Sequence, residues 1–304
     1  MASTITNINW AKVDQKVNAA LRFGLPARDL FSVRILGLEE MDAIENDKVW
    51  VPFATDPSKA VKVLGTKGTA TGGLAGTSVT LGNPIGANWD AVEGKMSPAV
   101  FAAYWEDKIA GGMYVLAKDV TDAGLALVTK ANYGDTEGVD KITVTPANFG
   151  QTDMGLLWAA GAKKIKQRSR SLILNADYAG QIIGNTQLAQ VLLQGGADMV
   201  KNGTLPMLIG HQTAVYADLA DNDEALGGVV FGQAAICLAC APIAPLAQSG
   251  QGAIADRRMI THAETGLTAL YTMTVGDGGT VHGELNLMYG AAKGQDAVVR
   301  LVNG

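Results

Sequence analysis

The sequence predicts an α+β fold organised around one long helix, and three observations carry that prediction. A continuous amphipathic run extends from Ser97 to Thr129, two alternating apolar segments bracket a glycine-rich passage ahead of it, and short apolar runs punctuated by turn residues follow it. Helical periodicity near 3.6 and strand periodicity of 2 are therefore both present, in separate stretches.

The totals set the class. At 304 residues the chain is long enough for about two domains and a sizeable core. Hydrophobic residues make up 48% and charged residues 17%, which marks a folded chain poor in surface charge. With 24 basic and 29 acidic residues the net charge is −5, so no global basic field recruits nucleic acid. Cys237 and Cys240 are the two cysteines, too few for a disulfide scaffold, and a reducing compartment is expected. The N-terminus, MASTITNINWAKVDQ, lacks the basic segment and apolar block of a signal peptide, so a cytoplasmic product is expected.

Residues 1–45 hold an amphipathic piece from Trp10 to Leu21 and an apolar run from Leu30 to Leu38, separated by Gly24 and Pro26. They have too little apolar surface to fold alone and are expected to lie across another element as an arm. Lys48 to Ala54 alternates, with Val49, Val51 and Phe53 on one face and Trp50 with Pro52 on the other. Pro52 makes it an edge strand. Thr77, Val79 and Leu81 repeat the alternation after Gly65, Gly68, Gly72, Gly73 and Gly76, which predicts a hairpin with a large flexible tip. A two-stranded hairpin is marginal in water, so its apolar face (Val49, Val51, Phe53, Val79, Leu81) is expected to rest on another surface, of this subunit or, as an intersubunit contact, of a neighbour.

In the long run, Ser97 is the expected N-cap and Pro98 the first helical residue. Phe101, Trp105, Ile109, Met113, Leu116, Val120, Ala123 and Leu127 follow at three-and-four spacing, one stripe on one face. Such a helix would run roughly 45–50 Å, against a usual length of ~11–12 residues. Gly111–Gly112 is expected to bend it.

Beyond it, Lys141 to Val144 reads as a strand, and Asp153 as the cap of a helix through Gln167. Ser171 to Leu174 is an unbroken apolar strand, as expected where both faces are buried. Helical pieces are expected at Tyr178 to Ile183 and Gln187 to Leu193, with Gly195–Gly196 as a stop, and strands at Pro206 to Tyr216 and Val229 to Leu238. Leu267 to Val275 and Thr280 to Tyr289 are joined by Gly276-Asp277-Gly278-Gly279, a hairpin turn, and Ala297 to Val302 adds a last strand. The stretch from Ala225 to Ala255 carries no charge and is long enough to cross a bilayer, but Pro242 and Pro245 would leave backbone groups unpaired in lipid. Core strands and turns are the expectation.

Catalytic signals are weak. Cys237 and Cys240 lack the second ligand pair of a zinc site and the electropositive setting of a redox pair, and read as buried small residues. His211, His262 and His282 have no carboxylate or second histidine at ligand spacing. Ser249 lacks the first glycine of a nucleophile elbow, and the glycines from Gly65 to Gly76 do not spell a phosphate-binding loop. Lys163, Lys164, Lys166, Arg168 and Arg170 form the one basic cluster, open to phosphate, to a neighbour's carboxylates, or to solvent at a helix C-terminus.

The order of these elements resembles the major capsid proteins of tailed bacteriophages, the Hong Kong 97 type of fold, over nearly the whole chain. The passages that carry the resemblance are Ser169-Arg-Ser-Leu-Ile-Leu-Asn-Ala-Asp-Tyr178, Gly203-Thr-Leu-Pro-Met-Leu-Ile-Gly-His-Gln-Thr-Ala-Val-Tyr216, Val229-Val-Phe-Gly-Gln-Ala-Ala-Ile236, Gly283-Glu-Leu-Asn-Leu-Met-Tyr-Gly-Ala-Ala292 and Ala297-Val-Val-Arg-Leu301, taken in that order. The resemblance implies an N-terminal arm (1–45), an extended loop (46–92), a peripheral domain with the spine helix (93–150), an axial domain (151–255) and a return to the peripheral sheet (256–304).

It further implies a structural, non-enzymatic role with no cofactor. Copies of the chain, as hexamers and pentamers, would close an icosahedral shell around double-stranded DNA held non-specifically, with a separate scaffolding protein and a portal as partners and no membrane. The virion capsid, assembled in the host bacterial cytoplasm, is the implied location. Under this reading the apolar hairpin face and the basic cluster are intersubunit contacts, the cluster having DNA as its alternative. Lys59, Lys62 and Lys67 lie in the loop where some relatives carry a crosslinking lysine, but no partner asparagine is identified. An encapsulin-type shell of the same fold is the alternative, and a soluble nucleotide-binding enzyme ranks behind it for want of a phosphate loop.

Overall fold

A computed structural model describes residues 8–24, 32–35, 47–54, 74–82, 84–92, 95–165, 170–184, 210–232, 234–243, 253–262, 266–276 and 279–304. Helix α1 spans Trp10–Gly24, and strands β1 Ser32–Ile35, β2 Lys48–Ala54, β3 Leu74–Thr80 and β4 Ile85–Val92 follow. Next come α2 Pro98–Leu125, α3 Lys130–Tyr133, β5 Lys141–Thr143, α4 Gln151–Lys164, β6 Arg170–Leu174 and α5 Ala176–Gly184. The chain ends through β7 His211–Val215, β8 Leu226–Gly232, β9 Ile236–Pro242, β10 Ala253–Thr261, β11 Thr268–Val275, β12 Thr280–Lys293 and β13 Val298–Val302.

The long helix is α2, 28 residues, about 42 Å at 1.5 Å per residue. Ser97 sits at its N-cap in extended conformation without a side-chain capping bond, and Pro98 opens it. Phe101, Trp105, Ile109, Met113, Leu116 and Val120 are all buried, as their spacing requires. The helix stops at Leu125, short of the expected end, and Leu127 lies beyond it. A residue remote in sequence takes over there: Asn222 Nδ2 donates to the Leu125 and Val128 carbonyls at 3.0 and 2.9 Å, satisfying acceptors that a helix end leaves open.

Among the described residues the strands form two larger sheets and a hairpin. The first sheet runs β1-β9-β12-β11-β10, with β4 also paired to β12; the second runs β5-β13-β8-β6-β7; β2 pairs β3 alone. Helix α2 lies across the first sheet. Trp105 meets Trp89 of β4 edge-on at 5.8 Å between centroids, and its indole N–H donates to the Tyr271 hydroxyl at 2.5 Å. Gly112 has a packing role: a Cβ there would stand 2.9 Å from Leu285 Cδ1 of β12. Its neighbour Gly111 faces open space. The arm expected at the N-terminus packs here as well, with Lys16 reaching Glu106 and Asp107 of α2 at 3.1 and 2.8 Å and Trp10 edge-on to Tyr271.

The second sheet is covered by α4 and α5. Ser171 to Leu174 of β6 is buried throughout, matching the unbroken apolar run. Asp153 is not the N-cap of α4: Gly150 holds that position, and the Asp153 carboxylate accepts the Gly150 N–H at 3.0 Å from three residues on. The expected single strand from Val229 to Leu238 is two. At Ala234 the backbone turns left-handed (φ 67), so β8 stays in the second sheet while β9 joins the first. Gly294 N–H to Ala235 O and Gln295 N–H to Ala234 O, at 2.9 and 2.8 Å, hold that turn from elsewhere in the chain. The charge-free stretch supplies β8 and β9, buried along their whole length. Among the described residues no helix is long and apolar enough to cross a membrane. The expected elements at Gln187 to Leu193, Gly195–Gly196 and Pro206 to Ile209, together with Ser249 and the Gly65–Gly73 part of the loop tip, lie outside the described residues.

Two glycines separate conformational cost from close packing. Gly111→Ala fills open space on an exposed helix position and is expected to stabilise the protein by about 0.5–1 kcal/mol. Gly290→Ala would put a Cβ 2.0 Å from the Thr80 carbonyl oxygen, a backbone atom, and is expected to cost about 1–3 kcal/mol. Urea unfolding of the two variants against the parent checks both signs.

Candidate assembly surfaces

Under the resemblance the hairpin face was expected to be an intersubunit contact, and here the structure corrects that expectation. Register pairs Val49 with Val79 and Val51 with Thr77, so the apolar residues do share a face. Val49, Val51, Val79 and Leu81 are buried, and Phe53 is half-buried, against Cys237, Ala239 and Ala241 of β9 with Met288 and Ala292 of β12. The cover comes from the same chain. It fits because alternate residues of β9 on that face are small, while Leu238 and Cys240 point into the main core. Gly82 N–H to Tyr289 O at 2.8 Å and Thr77 Oγ1 to Lys293 O at 3.2 Å tie the hairpin down. What the hairpin presents outward is its other face: Lys48, Pro52, Ser78 and Thr80 are exposed, and Trp50 is 42% exposed with its ring over Gly76.

Cys237 and Cys240 are both buried, three residues apart on a strand and so on opposite faces. Burial pushes the Cys237 thiol up to about 11, which leaves it inert as a nucleophile at neutral pH. His282 proves to have a carboxylate after all: Asp90 lies opposite it across β4 and β12, 2.5 Å from Nδ1. Nothing local in the sequence links two residues so far apart.

The basic cluster divides. Lys164 belongs to the subunit's own interior, its ammonium 2.5 Å from Asp140 and 3.1 Å from Asp296 and hydrogen-bonded to the Tyr133 carbonyl, with 6% of its side chain exposed. Its charge is thus engaged within the chain and not presented outward. Lys166 and Arg168 lie outside the described residues. Lys163 is exposed, and Arg170 stacks its guanidinium 5.9 Å over the ring of Trp158. Trp158 and Leu156 are 46% and 49% exposed on the solvent side of α4, a surface that the search for charges missed. The signal was present: Leu156, Leu157 and Trp158 are consecutive, and three residues at ~100° each cannot all face one core.

Lys164 forms part of a junction where the chain passes between the sheets at three places: α2 through α3 to β5, β8 to β9, and β12 to β13. Tyr133 stands at the crossing. Its hydroxyl donates to Ala235 O at 2.7 Å and the Lys293 ammonium lies 5.1 Å over its ring. Beside it Arg300, with 1% of its side chain exposed, meets Glu224, Asp135 and the Gly134 carbonyl. Burial works to raise the pKa of Asp140, but the Lys164 ammonium and the Thr136 N–H outweigh it and hold the carboxyl below its ordinary range. Asp135 is lowered as well, by its bond to Lys141 first.

No protein-family model and no curated protein matches the chain. Solved structures do. The capsid of the cyanophage P-SCSP1u aligns with a TM-score of 0.56 at 14% identity, over 93% of this chain and 89% of that one. The fold is the Hong Kong 97 type. Mycobacterium phage Che8 aligns at 0.51 and 13% identity over 88% of each chain, and a virus-like particle from Pyrococcus furiosus at 0.51 and 12% identity over 96% of this chain and 98% of that one.

Two outcomes test the corrected contacts. Val51→Asp with Val79→Asp places two carboxylates in fully buried positions, a mechanism that takes single substitutions beyond ~4 kcal/mol, and the double variant is expected to be unfolded by circular dichroism. A soluble, folded double variant that fails only in assembly would return the hairpin face to a neighbour. Asp140→Asn is expected to cost about 3 kcal/mol at neutral pH, because Lys164 loses its closest counter-charge. Since the folded-state pKa of Asp140 lies below the unfolded value of ~3.9, its contribution is full above that pH and fades as pH falls through the folded value. The gap in Tm between parent and variant should therefore narrow on acidification below about pH 4, and a gap that widens there would reverse the assignment.

Proposed function

We propose that the chain is a major capsid protein: copies arranged as hexamers and pentamers close an icosahedral shell around the double-stranded DNA of a tailed bacteriophage. The observation that carries this reading is the end-to-end likeness to the cyanophage capsid chain, which takes in 93% of this chain. The role is structural and calls for no catalytic centre or cofactor. A separate scaffolding protein and a portal are its assembly partners, the host cytoplasm is where it assembles, and the virion capsid is where it ends. At a net charge of −5 the chain holds DNA by enclosure and local contacts, without a general attraction.

The likeness to the Pyrococcus furiosus virus-like particle favours a second reading, a protein nanocompartment shell of the same fold. Contents separate the two. Purified chain, with and without co-expressed scaffold, is expected to yield closed shells by electron microscopy, and particles recovered from a productive infection should protect DNA from nuclease. Particles that instead enclose a protein cargo and no DNA would favour the nanocompartment. A chain that stays monomeric at high concentration under all these conditions would overturn both.

A further inference from the structure

We propose that the solvent face of α4 is the seat for a second copy of this chain, joined head to tail, with the acidic turn between β7 and β8 of one copy meeting α4 of the next. This rests on the shell reading and names the surfaces of the subunit that make one of its contacts.

The exposed surface of α4 carries an apolar side chain with a positive charge on each flank: Trp158 with Arg170 on one, and Leu156 in line with Lys163, seven residues on, on the other. Leu156 and Trp158 stand half out of the protein, and Arg170 lies over the Trp158 ring with its Nε buried and no hydrogen-bond partner among the described residues. Lys163 is exposed two turns beyond Leu156 and has no ion pair among the described residues. Tryptophan and arginine are the side chains that dominate protein interfaces when such a patch is covered.

The complementary surface lies at the other end of the same sheet. Strands β6 and β7 run parallel, with Arg170 opposite His211 at their beginnings and Leu174 opposite Val215 at their ends. The turn that follows β7 carries Asp218, Asp221 and Asp223, all exposed. Lys118 faces Asp218 at 3.6 Å, whereas Asp221 and Asp223 have no ion pair among the described residues. The turn is fixed in place by Asn222, which caps the end of α2, and by Glu224 on Arg300. Its charges are thus presented at little ordering cost.

Five strand residues, roughly 16 Å, keep the cationic end and the acidic end of one copy apart. Between copies they can meet. The two surfaces differ, so the contact is heterologous, the kind that closes into a ring when the rotation allows. Duplex DNA would offer phosphates to Lys163 and Arg170 but nothing to Leu156, Trp158 or the acidic turn, so a second copy fits the whole surface.

The test uses the full chain and two exposed substitutions, Lys163→Glu and Asp221→Lys, read by sedimentation velocity and electron microscopy, with circular dichroism as the folding check. Each alone sets like charges against each other and is expected to lower the yield of rings and shells at least about tenfold. Mixed in equal amounts, alternating copies pair charge with opposite charge at every contact of a six-membered ring, and assembly of such rings should return. Trp158→Ala, which removes exposed atoms without a change of charge, should lower the yield in the same way. Folded variants that assemble like the parent, or a mixture that stays unassembled, would overturn the proposal. Shells that form normally but fail to protect DNA would assign the surface to nucleic acid and overturn it equally. A parent chain that does not assemble at all would sink the shell reading itself, a result that needs no variant.

Discussion

The crossing at Tyr133 is the constraint on which the two-sheet architecture depends. A chain that leaves one sheet for another exposes backbone groups that strand pairing no longer serves, and a buried group without a partner is costly. At this crossing the Tyr133 hydroxyl serves Ala235, Lys164 serves the Tyr133 carbonyl, Lys293 serves Asn132, and the Gly294 and Gln295 amides serve the turn at Ala234–Ala235. A Cβ at Gly294 would stand 2.0 Å from the Ala234 carbonyl oxygen, so the approach of these two segments requires glycine. The charges that gather around it, Lys164 with Asp140 and Arg300 with Glu224 and Asp135, are tolerated in the interior because several acceptors share each cation.

From that crossing the rest of the chain follows as a unit with its own core. One cluster runs continuously from α1 and α2 through the first sheet into the second, and a smaller one seals the hairpin against β9 and β12. A subunit that completes its own packing can be stored folded and can leave assembly to its edges and exposed faces. The half-exposed residues Trp50, Leu156 and Trp158 sit on such faces. An interface built on them can form and part without the chain losing its core, as the proposed shell would require.

Elements governed by local periodicity were legible in the sequence. The stripe from Phe101 to Val120 gave α2, and strict alternation gave β2 its observed ends, Lys48 and Ala54. Features set by distant partners were not. Ala234 carries no turn residue's signature, and its left-handed backbone is held by amides sixty residues further on. Lys164 read as one cation in a cluster because Asp140, which claims it, lies on another element. The hairpin's cover lies in Cys237, Ala239 and Ala241, since smallness on one face of a doubly buried strand lets another layer approach and carries no periodic signal of its own. Strand β4, with Trp89, was taken into the extended loop (46–92), although Ile85, Ala87, Trp89 and Ala91 alternate with outward Gly86, Asn88 and Asp90.

Hydrogen exchange on the dissociated subunit, compared with the assembled particle, tests the idea of a self-complete unit most directly, since amide protection reports where cooperative structure exists before neighbours arrive. The account predicts that the amides of β2 and β3 and of the Ala234–Ala235 turn are already protected in the dissociated subunit. Amides in those segments that exchange freely until the shell closes would contradict it.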